Sequence, residues 1–250
     1  MRYLLIISFL FAVACSPSFT TVKSNSELNT LGTKEFVQSD SNIYRKYLPY
    51  KNQLDQEMNR VIAYSDSPLE KGQPESKLGN FFSDALLFYC NEKLKTDQRL
   101  PIDFAVFNNG GLRASLPKGE ITVGNIFQLM PFENELVVLE LDSTSIIPLI
   151  YYIIGKGGIP VSGLKLSLQN QIITEFKIGN TPYDSSATYR LLTSSYLANG
   201  GDQFWFFEKN KNRFNTGIKI REALIEYLEM QNKKGQRIEA ELDQRISYEP

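Results

Sequence analysis

Strand-like and helix-like apolar patterns alternate along most of the chain, and this alternation limits the folds that it can adopt. Helical spacing is found in residues 77–94 and 220–231, and strand-like patterns in residues 60–65, 102–108, 135–142 and 188–197. The segments LKLSLQ and IITEFKI flank Asn170 like the two arms of a hairpin. We therefore predict a mixed α/β (α+β) fold, with a mixed sheet flanked by helices rather than a doubly wound parallel sheet.

Several residues mark where these elements begin and end. Thr122 is a candidate N-cap of a short helix that Pro131 ends, and Gly235 ends the last helix. Ser145 is a candidate N-cap of the helix IIPLIYYII, and Pro148 would then lie in the first turn, which tolerates proline. The segment QRISY is predicted to add a final edge strand.

Three regions of the chain differ in composition. Residues 1–15, MRYLLIISFLFAVAC, contain one basic residue and then an apolar stretch that is too short to span a bilayer. This is typical of a bacterial lipoprotein signal peptide that ends at a lipidated Cys15, with plain secretion and nearby cleavage as the alternative. Residues 16–41 are polar and predict a flexible tether, and residues 42–250, which open with a helix, predict one domain. We expect an exported lipoprotein, anchored to a membrane at the periplasmic face or the cell surface.

The chain contains no histidine, and its charges nearly cancel, with 27 Lys and Arg against 28 Asp and Glu. Without imidazole groups, this chain cannot form a Ser-His-Asp or Cys-His nucleophile system. It also lacks the usual histidine ligands of zinc and di-metal hydrolase centres. A formal net charge of -1 gives no basic field, so we expect no nucleic-acid partner and a local site for any bound anion. Cys90 lies in an apolar helical stretch and is predicted to be a buried core thiol.

The segment NNGGLR, residues 108–113, directly follows a buried strand. Gly110 and Gly111 permit positive φ angles and bring backbone N–H groups close to a ligand, and Arg113 can bind an anion with two parallel hydrogen bonds. An oxyanion-binding loop is one interpretation, and a tight turn with a surface arginine is the other. The P-loop and Rossmann glycine patterns are both absent from this segment.

Two further segments carry aromatic and acidic residues. Phe132 lies in PFEN after the short helix, and SSYLANGGDQF places Tyr196 before and Asp202 after the Gly200–Gly201 pair. Two aromatic rings can stack on a base, and a carboxylate in a turn can accept hydrogen bonds from a ribose diol. Taken singly, each aromatic is a core candidate and Asp202 a turn residue. Taken together, the segments supply what a nucleotide requires.

These motifs, in the order ESKLGNFFSDAL, NNGGLR, GEITVGNIFQLMPFEN and YLANGGDQF, closely resemble the C-terminal domain of the 5′-nucleotidase and UDP-sugar hydrolase family. The resemblance runs from about residue 43 to residue 247. It implies a nucleotide-binding domain that works with a metallophosphatase domain holding two metal ions. We expect that metallophosphatase part, and its divalent metals, to be absent from this chain and to be supplied by a separate chain.

The resemblance also implies roles for single residues. Asn108 matches a residue that contacts the base, Arg113 one that binds the phosphate, and Asp202 one that accepts the ribose hydroxyls. Phe132 and Tyr196 match two stacking aromatics that are usually both Phe. No catalytic residue, metal or cofactor is expected on this chain itself.

One position departs from the family pattern. A second phosphate-binding arginine is common three residues before the Glu of the E…LGN motif, where this chain has Gly72 with Lys71 beside it. Lysine offers a point charge on a flexible stem instead of a planar fork. This favours weaker phosphate binding or an uncharged ligand.

Four functions follow as hypotheses. The first is the nucleotide-binding half of a phosphoester hydrolase in nucleotide catabolism, completed by a separate metallophosphatase chain. The second is a lipid-anchored nucleotide-binding or nucleoside-binding protein without catalytic activity, and the third is a remnant that makes protein contacts. The fourth is a carboxylate-based metal hydrolase, although no spacing among its candidate ligands supports a metal cage. These candidates are Glu133, Glu135, Asp184 and Asp202.

Overall fold

The computed structural model describes residues 41–95 and 101–249. The predicted signal peptide, lipidated Cys15 and all of the tether except residue 41 lie outside the described residues. Residues from Tyr47 onward form the compact unit that contains the sheets and the candidate site. None of the helices in the two described ranges combines the length and the apolar character that crossing a membrane requires.

Across residues 41–95 and 101–249, six α-helices and eleven strands follow one another in an irregular order. The helices are α1 (Ser41–Met58), α2 (Lys77–Leu94), α3 (Val123–Leu129), α4 (Ser143–Gly155), α5 (Ser195–Ala198) and α6 (Ile220–Lys233). The strands are β1 (Val61–Ser65), β2 (Phe104–Val106), β3 (Gly119–Thr122), β4 (Glu135–Leu141), β5 (Val161–Ser162), β6 (Leu164–Gln169), β7 (Ile172–Ile178), β8 (Thr181–Pro182), β9 (Tyr189–Ser194), β10 (Asn212–Lys219) and β11 (Ile246–Glu249). Short 3-10 turns cover Asn109–Gly111, Gly201–Gln203 and Trp205–Lys209.

The strands form three sheets in the described part of the chain. The central sheet has the order β10-β4-β9-β2-β5, in which only β9 and β2 are parallel. A second sheet has the order β11-β6-β7-β8 with a parallel β11–β6 pair, and β1 and β3 form an antiparallel pair. The predicted mixed α/β fold is therefore confirmed, with three sheets in place of one.

The two faces of the central sheet are covered by separate apolar clusters. Along β2 and the residue that follows it, Ala105 and Phe107 belong to the cluster with α2, α3 and α6, whereas Phe104 and Val106 belong to the cluster with α4 and β6. This follows from the period of two in a strand, which sends successive side chains to opposite faces. Cys90 is buried in the first cluster, as predicted. Strands β2, β4 and β9 of the central sheet are thus largely buried on both faces.

Helix α4 begins differently from the prediction. Asp142 is its N-cap, because the Asp142 carboxylate accepts a hydrogen bond of 2.9 Å from the Thr144 amide. Ser145 is instead a buried residue inside the helix, so its predicted capping role is wrong. Pro148 consequently lies beyond the first turn. Two capping residue types stood within three positions of each other, and the earlier one starts the helix.

Other local predictions are confirmed. The Thr122 hydroxyl accepts from the Asn125 amide at 3.3 Å and caps α3, and α6 ends just before Gly235, whose φ is 72°. Strands β6 and β7 form the expected hairpin around Asn170, and β11 is an edge strand. Two expectations change: β9 ends at Ser194, so Tyr196 lies on α5 rather than on a strand, and β10 has no counterpart in the sequence prediction.

Candidate functional site

The candidate site lies where two parallel strands of the central sheet end. Strands β2 and β9 are parallel neighbours, so the residues that follow them meet at the same end of the sheet, beyond the carboxyl ends of both strands. Asn108 follows β2 and Asp202 follows β9 and α5. The Asn108 amide Nδ2 donates a hydrogen bond of 2.5 Å to Asp202 Oδ2. The fold therefore joins two predicted ligand residues that lie 94 positions apart in the sequence.

Asp202 has a left-handed backbone conformation, with φ 51° and ψ 30°. The Tyr196 hydroxyl donates to Asp202 Oδ1 at 2.8 Å and accepts from the Asp202 amide at 3.2 Å. The Tyr152 hydroxyl, from α4, donates to the Asp202 carbonyl oxygen at 2.8 Å. This carboxylate thus has a defined orientation although its residue is exposed.

The glycines of the two loops make room for these side chains. A Cβ atom on Gly201 would lie 2.5 Å from Tyr196 Cζ, and one on Gly111 would lie 2.9 Å from Asn108 Oδ1. Gly200 has a φ of 82°, which favours glycine. Gly110 would bring a Cβ to 3.4 Å from Asn108 Nδ2. The predicted loop-forming role therefore has a steric cause at both Gly-Gly pairs.

Arg113 lies at the end of the glycine loop with an exposed side chain. Its Nη1 lies 3.4 Å from the Gly110 carbonyl oxygen, a long and weak contact. In the described ranges, no carboxylate forms an ion pair with it by the usual 4 Å criterion. The Arg113 amide donates to the Leu129 carbonyl at 2.8 Å, which fixes this loop against the end of α3. The guanidinium is thus available to an anion.

Phe132 lies three residues beyond the end of α3 and is 41% exposed. The next residue, Glu133, forms ion pairs with Lys219 at 2.8 Å and with Arg221. The hydrogen bond from Lys219 and the pairing with Arg221 lower the pKa of the Glu133 carboxyl. The loop that carries Phe132 is therefore held by charges at the start of α6.

The structure brings together some of the predicted site residues by direct contact. Asn108, Tyr196 and Asp202 form one hydrogen-bonded cluster. Within residues 41–95 and 101–249, no hydrogen bond or ring contact joins Phe132 or Arg113 to that cluster. Their loops are nonetheless adjacent, because the Glu135 amide donates to the Ser195 hydroxyl at 3.1 Å and Arg113 bonds the end of α3.

Two residues of the site were not predicted from the sequence. Tyr152 contacts Asp202 from α4, and Arg221 contacts the Phe132 loop from α6. Neither belongs to a motif, and both reach the site only through tertiary packing. The local sequence around them carries no signal for this role.

No metal cage is built from the described residues, among which no group of three or more Asp, Glu or Cys side chains could hold an ion. Asp184 accepts hydrogen bonds from the amide and the hydroxyl of Ser186 in its own turn, and Glu133 is paired with two cations. The carboxylate-based metal hydrolase therefore gains no support from this geometry.

Comparison with known proteins defines the family. The model of the 5′-nucleotidase C-terminal domain matches residues 60–209, more than half of the chain. The chain belongs to the 5′-nucleotidase C-terminal domain family. The matched residues of this 5′-nucleotidase C-terminal domain include all three loops of the site. The resemblance drawn from the motifs is thus confirmed.

Curated relatives are considerably longer than the 5′-nucleotidase C-terminal domain described here. An apyrase of Tabanus yao is 26% identical over 234 residues, with 82% of this chain and 42% of that protein covered. The trifunctional nucleotide phosphoesterase protein YfkN of Bacillus subtilis is 29% identical over 248 residues, with 90% of this chain and 16% of that protein covered. The chain therefore spans less than half of these relatives.

Solved structures share this fold. A 5′-nucleotidase precursor from Thermus thermophilus superposes with a TM-score of 0.69 at 29% identity, covering 84% of this chain and 43% of that one. The NAD nucleotidase of Haemophilus influenzae gives 0.62 at 16% identity, covering 84% and 41%. The predicted mixed α/β architecture is that of 5′-nucleotidase C-terminal domains.

Proposed function

We propose that this chain is the nucleotide-binding half of a 5′-nucleotidase-type phosphoester hydrolase, completed by a separate metallophosphatase chain. The observation that carries the proposal is the hydrogen bond between Asn108 and Asp202, which joins the loops after β2 and β9 beside the available guanidinium of Arg113. One edge of the sheet thereby offers polar groups for a base, a sugar and a phosphate.

The residues divide the work of binding as follows. Arg113 binds the phosphate, Asp202 accepts the ribose hydroxyls, and Asn108 contacts the base. Phe132 and Tyr196 are 41% and 44% exposed, so each has ring surface available to stack on a base. Holding the ester in one orientation lowers the barrier for hydrolysis without any bond being broken by this chain.

The metals of the reaction belong to the partner. This chain has no histidine, so it supplies no imidazole ligand to a di-metal centre. A metallophosphatase chain would bring the divalent ions that polarise the phosphoryl oxygens and activate water. The whole activity therefore requires two components, and the purified chain alone is expected to hydrolyse nothing.

A second candidate is a nucleotide-binding or nucleoside-binding protein without catalytic activity. It is favoured by Gly72, which stands where a second phosphate-binding arginine is common. Lys71, beside it, offers a point charge on a flexible stem in place of the planar fork of an arginine. This candidate predicts similar affinities for a nucleoside and its monophosphate.

The proposal includes an exported chain anchored to a membrane through lipidated Cys15. The apolar segment that precedes Cys15 in the sequence supports it. Fractionation of cells that produce the wild-type chain or a Cys15→Ser variant tests this part separately. Release of the variant from the membrane fraction is expected, and a wild type that is already released contradicts anchoring.

The experiment on function is calorimetric titration of the full chain with AMP, ADP, UDP-glucose and adenosine. Arg113→Ala should weaken AMP binding by about tenfold or more and leave adenosine binding unchanged. Arg237→Ala is the matched control, because Arg237 is an exposed arginine paired with Asp66. Equal AMP and adenosine affinities favour the second candidate, and no binding by the wild type contradicts both.

The partner is tested by adding the purified chain to a purified exported metallophosphatase of the same organism. Phosphate release from AMP should rise when both are present and should depend on Arg113. Chelator-sensitive phosphatase activity of this chain alone would contradict the division into two chains.

A further inference from the structure

All four polar groups of Asp202 are held by neighbouring side chains. Tyr196 bonds both the backbone amide and Oδ1, Asn108 bonds Oδ2, and Tyr152 bonds the backbone carbonyl. These contacts come from α4, α5 and the loop after β2. A left-handed backbone at a residue other than glycine persists where its surroundings fix it. The surroundings of Asp202 therefore set the direction of its carboxylate.

The Asp202 carboxylate can accept further hydrogen bonds besides those from Tyr196 and Asn108. An ionised carboxylate has about four lone-pair sites, and protein donors occupy one on each Asp202 oxygen. About two sites remain. The vicinal hydroxyls of a ribose supply two donors, which matches this remaining capacity.

The Tyr196 hydroxyl is not required for stacking. An aromatic ring without a hydroxyl stacks on a base equally well, so base binding alone does not explain a tyrosine at this position. In this structure, the hydroxyl closes a ring of two hydrogen bonds with Asp202, while the aromatic ring lies against Gly201. The hydroxyl and the ring of Tyr196 therefore have separate tasks.

We infer that the hydroxyl groups of Tyr196 and Tyr152 are positioning groups. They hold the Asp202 carboxylate so that it accepts a hydrogen bond from each of the two hydroxyls of a ribose. The site then distinguishes ribonucleosides from ligands that lack the vicinal diol. This inference rests on the proposed function and adds two tyrosine hydroxyls to it.

The ionisation of the two phenols is consistent with this role. Donation to the Asp202 carboxylate raises the pKa of Tyr196. Burial, followed by the negative charge of Asp202, raises the pKa of Tyr152. Both hydroxyls therefore stay protonated, and able to donate, across the neutral pH range.

Calorimetric titration of the full chain with adenosine and with 2′,3′-dideoxyadenosine tests the inference. The wild type should bind adenosine more tightly. Tyr196→Phe keeps the ring and should lower the affinity for adenosine by about tenfold, with less than about a twofold change for dideoxyadenosine. Tyr152→Phe should act in the same direction. Tyr151→Phe is the control and should change neither affinity, because the Tyr151 side chain is 66% exposed and its hydroxyl has no described hydrogen bond.

The outcomes separate this inference from the proposed function. If the wild type binds neither nucleoside, the proposed function fails and the inference fails with it. If the wild type binds both equally, the inference is overturned together with the ribose role of Asp202, while nucleoside binding itself stands. If Tyr196→Phe weakens both equally or leaves adenosine unchanged, only the inference is overturned. Asp202→Asn provides a second variant should Tyr196→Phe not fold. The Asp202→Asn variant should no longer bind adenosine more tightly than dideoxyadenosine, and a preference for adenosine that persists in this variant would overturn the inference.

Discussion

Lys71 Nζ donates a hydrogen bond of 2.8 Å to the carbonyl oxygen of Leu112, the residue directly before Arg113. This contact places an ammonium group at the base of the glycine loop, on the same segment as the exposed guanidinium. The chain therefore has a second positive charge close to the proposed phosphate site, although the position of the usual second arginine is a glycine.

Lys71→Gln is expected to reduce AMP affinity by about threefold to tenfold and to leave adenosine affinity unchanged. The loss should shrink as salt is added, because a partly exposed charge is screened. Calorimetric titration at two ionic strengths measures it. Lys234→Gln, which changes an exposed lysine after α6, is the control. An equal loss for AMP and adenosine would show that Lys71 acts only on loop structure.

Gly201→Ala is expected to damage both folding and binding. The new Cβ would lie 2.5 Å from Tyr196 Cζ and 2.6 Å from the Tyr196 carbonyl oxygen, so the backbone must shift. We expect a loss of about 1–3 kcal/mol in the free energy of unfolding and weaker adenosine binding. Gly155→Ala is the matched control, because a Cβ added there would meet no atom within 4 Å other than its chain neighbours and the backbone of its own helix. Urea unfolding compares the two, and equal stability would contradict the steric account.

Arg245→Met is expected to destabilise the domain by about 2 kcal/mol. The Arg245 side chain is only 12% exposed and bonds both oxygens of Asp84, at 2.8 and 3.0 Å, and both of Asp243. Its removal leaves two carboxylates without their cation. Arg237→Met breaks the exposed pair with Asp66 and should cost less than about 1 kcal/mol. Chemical denaturation of both variants gives the comparison, and similar losses would refute the role of burial.

The contribution of Glu133 to stability is expected to depend on pH. Its folded-state pKa is lowered by Lys219 and Arg221 from 4.5, so the stabilisation is present above about pH 4.5 and is lost as pH falls through the lower folded value. The melting temperature of the wild type should exceed that of Glu133→Gln at neutral pH, and the difference should vanish once the pH falls below the lowered folded-state pKa of Glu133. Glu120→Gln, an exposed glutamate without a described ion pair, should show little difference at either pH. A difference for Glu133→Gln that persists in acid would contradict this assignment.

Periodicity predicted the elements that bury an apolar face. Helices α2 and α6 were found because their apolar residues recur at helical spacing, and β4 because its residues alternate. Strand β10 was missed, because NRFNTGIK is an edge strand without a fully buried side chain and its apolar signal is weak. Local signals also compete, as Asp142 and Ser145 do at the start of α4.

The candidate site was predicted as a set of residues, whereas their contacts were not. Gly-Gly pairs and the aromatic residues near them are visible in the sequence, and family resemblance assigned their roles. The pairing of Asn108 with Asp202 depends on β2 and β9 being parallel neighbours, which no local pattern indicates. The contact of Tyr152 with Asp202 depends in addition on how α4 packs against the sheet.

The Asn108–Asp202 hydrogen bond joins two loops, and a ligand bound to both loops would affect how fast the protein is degraded. A small molecule that contacts both loops would act as a reversible cross-link between segments 94 residues apart. Because such a molecule binds the native state alone, mass action would lower the fraction of unfolded chains as its concentration rises. Proteases that cleave unfolded chains would then remove the empty protein faster than the loaded one, so supply of the ligand would affect how long each molecule survives.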